Sequence, residues 1–120
     1  MTRKEERIKA FEQIYQNLFV EKENIYTEEE NKQTEFTNKL IDTVENNKQE
    51  ILDEIKNFAK DSFNRIYYVD LAIIMLATAE IKYNITPKEI AVNEAVEIAK
   101  LYSTDQSPNF VNGFLKVMHN

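Results

Sequence analysis

Cysteine is absent, glycine and histidine occur once each and proline twice in a chain of 120 residues. Each shortage removes a class of answers. Without cysteine there is no disulfide chemistry, no thiol nucleophile and no cysteine-based zinc site. One glycine cannot supply the positive-φ turns that hairpins and sandwich corners use repeatedly, which speaks against an all-β fold. It also excludes the glycine-rich loops that cradle phosphates, each of which needs several glycines at fixed spacing. The lone His119 stands next to the C-terminus, where a frayed, solvated imidazole is the expectation. The polar, charged N-terminus has no apolar signal-peptide core, so a cytoplasmic protein is expected. A formal net charge of −6 argues against indiscriminate nucleic-acid binding while leaving room for a local basic patch.

What is present is helical patterning. Ile8, Phe11, Tyr15, Leu18 and Phe19 recur at three- and four-residue steps and predict a helix from Thr2 to about Val20. Thr2 with Glu5 predicts a capping box at its start. Its first turns carry Arg3, Lys4, Arg7 and Lys9 against Glu5 and Glu6. Residues 21–54 hold eleven acidic and four basic side chains, a local excess that suits solvated helix faces. Thr27 with Glu30 is a second capping-box candidate. Phe36, Leu40, Ile41 and Val44, then Ile51, Leu52, Ile55 and Phe58, predict two amphipathic helices joined by a polar turn at Asn46 and Asn47.

From Ile66 to Ala79 hardly any polar face remains. The run is too short to span a bilayer, which takes about 20 apolar residues, and it predicts a buried central helix. Asp70 inside it calls for a cationic or hydrogen-bonding partner. Thr86, Pro87 and Glu89 predict a helix start with threonine as the cap, and Ser107 with Pro108 repeats the pattern. Gly113 falls inside the last helix, where glycine costs about 1 kcal/mol relative to alanine, so a close approach to its backbone is expected. The chain reads as one all-α domain over residues 1–120, a bundle of about six to seven helices in two small sub-bundles, divided near residue 60.

Catalytic and metal chemistry find little to stand on. Helical dimetal sites need histidine three residues from glutamate in two helices, and serine or threonine nucleophiles have no histidine partner inside the fold. No catalytic residue, cofactor or metal is assigned, and a binding role is expected over an enzymatic one. The basic start of the first helix offers cations for phosphates, with Tyr15, Tyr26 or Phe110 available to stack on unpaired bases.

Three motifs in the C-terminal half then narrow the reading: Val69-Asp70 leading to Ala79-Glu80-Ile81, the run from Ile90 to Lys100, and Ser107-Pro108-Asn109-Phe110-Val111-Asn112-Gly113. In order and spacing they resemble the NusB family of bacterial transcription antitermination factors. Arg7 to Gln16 is similar to the family's opening helix. The resemblance implies an all-helical fold and no enzymatic activity. It further implies RNA binding together with NusE, a ribosomal small-subunit protein. The pair would recognise boxA RNA and help assemble an antitermination complex on RNA polymerase, notably during ribosomal RNA transcription, with no role for a membrane.

Carried onto this sequence, the resemblance makes Arg3, Lys4, Arg7, Gln106 and Phe110 the RNA-binding candidates, Gln106 standing where relatives often carry aspartate. Tyr15 and Glu80 become the candidates for the partner surface. Two other readings stay open. One is a protein-only scaffold or homodimer, and the other is a free-standing RNA-binding domain of the kind appended to RNA methyltransferases.

Overall fold

In the computed structural model, which describes residues 1–19 and 33–120, Thr2 opens the first helix as its spacing predicts. Its hydroxyl accepts from the Glu5 N–H at 3.1 Å while the Glu5 carboxylate accepts from the Thr2 N–H. This reciprocal box satisfies two donors that a helix start leaves unpaired. The helices are α1 (Arg3–Asn17), α2 (Glu35–Asn46), α3 (Lys48–Ala59), α4 (Tyr68–Lys82), α5 (Lys88–Tyr102) and α6 (Ser107–Met118), with a 3-10 turn at Lys60–Arg65 after α3. Among the described residues there is no strand. The second capping-box candidate, Thr27 with Glu30, lies outside the described residues.

The apolar run sets the architecture. Every residue of α4 from Val69 to Glu80 is buried, and the helix packs against each of the other five. On one side α1 packs on α2 and α2 on α3; on the other, α5 packs on α6. Ile14, Leu40, Ile41, Ile51, Ile55, Ile98 and Leu115 reach in from these neighbours to meet Ile73, Ile74, Met75 and Leu76 of α4. Fully burying one such side chain stabilises the fold by roughly 1.5–3 kcal/mol before chain entropy is charged against it.

The polar residue inside this run finds the partner it needs. Asp70 accepts from the hydroxyls of Ser103 at 2.6 Å and Ser107 at 3.1 Å. Two hydroxyl bonds, one of them short, at the amino-terminal end of α4 compensate a carboxylate that has left water. They also tie the α5–α6 connection to the central helix.

Four local expectations are corrected. Thr86 does not cap α5: Pro87 holds the cap position without a side-chain bond, and the Thr86 hydroxyl instead donates to Glu80 at 2.6 Å. A buried carboxylate cut off from water competes for that hydroxyl more strongly than a helix end open to solvent. Ser107 likewise lies inside α6 rather than at its cap, because its hydroxyl serves Asp70. His119 is half-buried, and its Nε2 lies 3.0 Å from Thr78 Oγ1, so the imidazole is docked on α4 rather than frayed. Gly113 does not mark a close approach, since a Cβ built there meets nothing within 4 Å.

Candidate functional site

The basic start of α1 divides its charges between surface and interior. Lys4 is exposed, and the Arg3 side chain is 63% exposed. The Arg3 guanidinium pairs with Glu6 at 3.0 Å and lies 3.8 Å above the Phe36 ring of α2. Glu6 is gripped by α2 as well: Thr34 donates to its carboxylate at 2.5 Å and Thr37 to its carbonyl at 3.0 Å. The Thr34 bond, followed by Arg3, holds the Glu6 carboxyl below the usual carboxylate range.

Arg7 turns inward. Its Nε donates to Glu80 at 2.9 Å and its Nη2 to Thr86 at 3.2 Å, with the two charged side chains 7% and 2% exposed. Burial pushes the Glu80 carboxyl above its ordinary value, opposed by the Thr86 hydroxyl and by Arg7. The Glu80 main chain closes α4: its carbonyl accepts from Ile85 at 2.9 Å and Thr86 at 3.1 Å, and Asn84 adopts φ 57° to make the turn. Asparagine tolerates this left-handed stop at a helix end. Neither Arg7, expected at a phosphate, nor Glu80, expected at the partner surface, is presented to solvent in the chain by itself. Together they fasten α1 to the α4–α5 turn.

Tyr15 lies in the last turn of α1, two residues before its end, on the rim of an open groove of about 300 Å³ lined by Phe11, Glu12, Tyr15, Gln16, Val69 and Tyr102. Phe11 sits 5.6 Å from Tyr102 and 6.3 Å from Tyr15 between ring centroids. Tyr15 meets Phe19 edge-on at 5.2 Å, and Phe19 meets Tyr68 edge-on at the same distance. Phe19, Tyr68 and Tyr102 are all about half exposed. Such a chain of rings, apolar in body and polar at its hydroxyl tips, suits a protein side chain better than bulk water.

Gln106 and Phe110 form one turn at the start of α6, where the Gln106 carbonyl accepts from the Phe110 N–H at 3.1 Å. Both are exposed. Phe110 lies 5.6 Å from Phe114, which meets Phe58 of α3 edge-on at 5.0 Å. The contacts of Arg3 thus run to α2 and those of Phe110 to α6 and onward to α3.

Sequence reasoning placed Phe36 and Phe58 on apolar stripes but gave no contacts for them or for Tyr68, Tyr102 and Phe114. Tyr68 was hidden by the all-apolar run around it, and Phe36 by its place on an amphipathic stripe. Their roles depend on which helix lands beside them. Among the described residues no group of three or more histidine, aspartate or glutamate side chains could hold a metal ion. No described helix is long and apolar enough to cross a membrane.

Comparison with known proteins follows the same lines. The model of the family described as "NusB family" matches residues 1–120. The transcription antitermination protein NusB of Clostridium novyi (strain NT) is 44% identical over 79 residues, covering 64% of this chain and 59% of that protein. Its counterpart in Clostridium botulinum (strain Loch Maree / Type A3) is 43% identical over 82 residues, covering 67% of this chain and 58% of that protein. The chain therefore spans less than two thirds of the length of these relatives. A solved structure of T. maritima NusB superimposes with a TM-score of 0.82 at 28% identity, covering 98% of this chain and 90% of that one.

Proposed function

The chain belongs to the NusB family, and from that premise we propose that it is a non-catalytic transcription antitermination factor that pairs with NusE and binds boxA-type RNA. It acts in the cytoplasm, helping to assemble an antitermination complex on RNA polymerase, notably during ribosomal RNA transcription. The observation that carries this reading is the division of α1 into two surfaces. Arg3 and Lys4 are exposed at its start, and Tyr15 borders the aromatic groove twelve residues on. At 1.5 Å per residue the two lie about 18 Å apart along the helix. A protein in the groove and RNA at the basic end fit side by side.

Charge supports a division of labour. An overall acidic chain with a small basic edge attracts a basic ribosomal protein, and the combined cationic surface then holds the RNA. Arg3 and Lys4 supply phosphate contacts, while Gln106 and Phe110 offer an amide and an exposed ring for an unpaired base. The groove residues Phe11, Tyr15 and Tyr102 take the partner. The test is assembly: gel filtration of the chain with NusE, with and without boxA RNA. A stable three-component complex supports the reading, and separate elution of the protein components sinks it.

A further inference from the structure

We propose that Phe36, on the first turn of α2, is a positioning residue for RNA binding, acting through Arg3. This inference rests on the reading of Arg3 as an RNA contact and names a residue that neither the motifs nor the charge pattern pointed to.

The geometry is that of a seat. The Phe36 ring lies 3.8 Å beneath the Arg3 guanidinium and 5.4 Å from that of Arg7. Its face carries the negative end of the ring quadrupole, which attracts a cation held over it. The elements that carry the seat are pinned to each other. Thr34 at the cap of α2 and Thr37 within it donate to the carboxylate and carbonyl of Glu6 on α1, and Arg7, one turn beyond Arg3 on α1, is locked to Glu80 and Thr86. Phe36 is half-buried and packs on the core, so it cannot follow a wandering side chain.

Glu6 alone would not hold Arg3. Glu6 is itself only 7% exposed, but the pair closes through one nitrogen and leaves 63% of the Arg3 side chain exposed, so the rest of the guanidinium can swing about that contact. The ring supplies a second wall, and between them the guanidinium is oriented. The contact of Arg3 with Glu6 uses one nitrogen, and a guanidinium has five N–H donors, so the outer edge stays open to a phosphate. The Arg3 side chain is nearly two-thirds exposed. An arginine ordered in advance loses less freedom when it meets RNA than one that must be ordered on contact. Phe36 thereby raises affinity without touching the ligand.

The experiment is a two-by-two cycle. A labelled single-stranded boxA RNA is titrated with the full chain at saturating NusE, using wild type, Arg3→Ala, Phe36→Leu and the double variant, each checked by thermal melting to be folded at the assay temperature. Phe36→Leu weakens RNA binding about two- to five-fold in the Arg3 background, the span of an exposed cation–π contact. It has no further effect once Arg3 is alanine. Phe36→Trp, which keeps the ring, retains wild-type affinity. Equal losses from Phe36→Leu in both backgrounds, or a loss in Phe36→Trp as large as in Phe36→Leu, overturn the inference and leave Arg3 as an RNA contact. An Arg3→Ala variant with unchanged affinity and unchanged salt dependence overturns the RNA reading of this edge, and the inference with it.

Discussion

Removing either partner of the Arg7–Glu80 pair should damage the fold more than any change on the basic surface. The two groups are joined at 2.9 Å with side chains 7% and 2% exposed, so Arg7→Ala leaves a carboxylate buried with only the Thr86 hydroxyl at 2.6 Å. Breaking a buried pair from one side costs about 3–5 kcal/mol, because the remaining charge is uncompensated. A chain of 120 residues unfolds with an entropy of about 2.1 cal/mol/K per residue, or roughly 0.25 kcal/mol/K. Arg7→Ala should therefore lower Tm by about 12–20 °C, read by circular dichroism at 222 nm. The double change Arg7→Leu with Glu80→Leu should recover much of this, since apolar groups need no counter-charge. A single-variant loss below about 1 kcal/mol, the range of an exposed ion pair, would refute the reasoning.

The sign of the pH dependence separates Glu80 from Glu6, a second buried carboxylate. Because burial raises the Glu80 carboxyl in the folded state, its contribution is fully present below the ordinary glutamate value and is lost as pH rises through the folded value. Glu6, lowered chiefly by Thr34, behaves oppositely: its contribution is present above the ordinary value and is lost as pH falls through the lowered one. A Thr34→Val variant should flatten the acid limb of stability below pH 4.5, measured by urea unfolding across that range. An unchanged acid limb would remove Thr34 as the cause.

Three further outcomes are expected. Gly113→Ala should stabilise by about 0.8–1 kcal/mol, the helix propensity difference, since the added Cβ meets nothing within 4 Å; a drop in Tm would mean that the space is filled in solution. Lys60→Gly should raise Tm by a few degrees, because Lys60 holds φ 54° and ψ −128° after α3, a conformation that costs a side-chain-bearing residue about 1–3 kcal/mol; a neutral or lower Tm would show that the turn is not strained. The His119 imidazole, lowered by burial, should titrate below 6.5 by NMR, and Thr78→Val should release the C-terminal turn. Its contribution is present above that ordinary value and lost as pH falls through the lowered one; an unshifted titration would return His119 to solvent.

The helices were legible where the signal was local. The Thr2–Glu5 box, the stripes of α1 to α3 and the unbroken apolar run of α4 each lie within one turn or one element, and periodicity alone reports them. Asp70 announced its need for partners in the same way. What sequence could not report was which distant side chain answers which need. Arg7 and Glu80 are 73 residues apart and Arg7 and Thr86 are 79 apart. Seen singly, the arginine resembles a phosphate contact, the glutamate a surface charge and the threonine a helix cap.

Three-dimensional proximity gathers all three into one buried clasp. The same holds for the site. Tyr15 stood out on its helix, but the groove exists only because α4 and α5 bring Val69 and Tyr102 beside it.

The central claim is that one chain carries separate surfaces for a protein and for RNA, and the most direct measurement separates them by mutation. Gel filtration and RNA anisotropy on mixtures with NusE should give opposite phenotypes. Tyr15→Ala should weaken NusE binding by about 30-fold, as truncation of a hot-spot aromatic costs about 2 kcal/mol. Arg3→Ala with Lys4→Ala should leave NusE binding intact and reduce the salt slope of RNA binding by about 1.4, roughly 0.7 for each lost phosphate contact on a single strand. Undiminished NusE binding by Tyr15→Ala, or an unchanged salt slope in the Arg3 and Lys4 variant, would contradict the account.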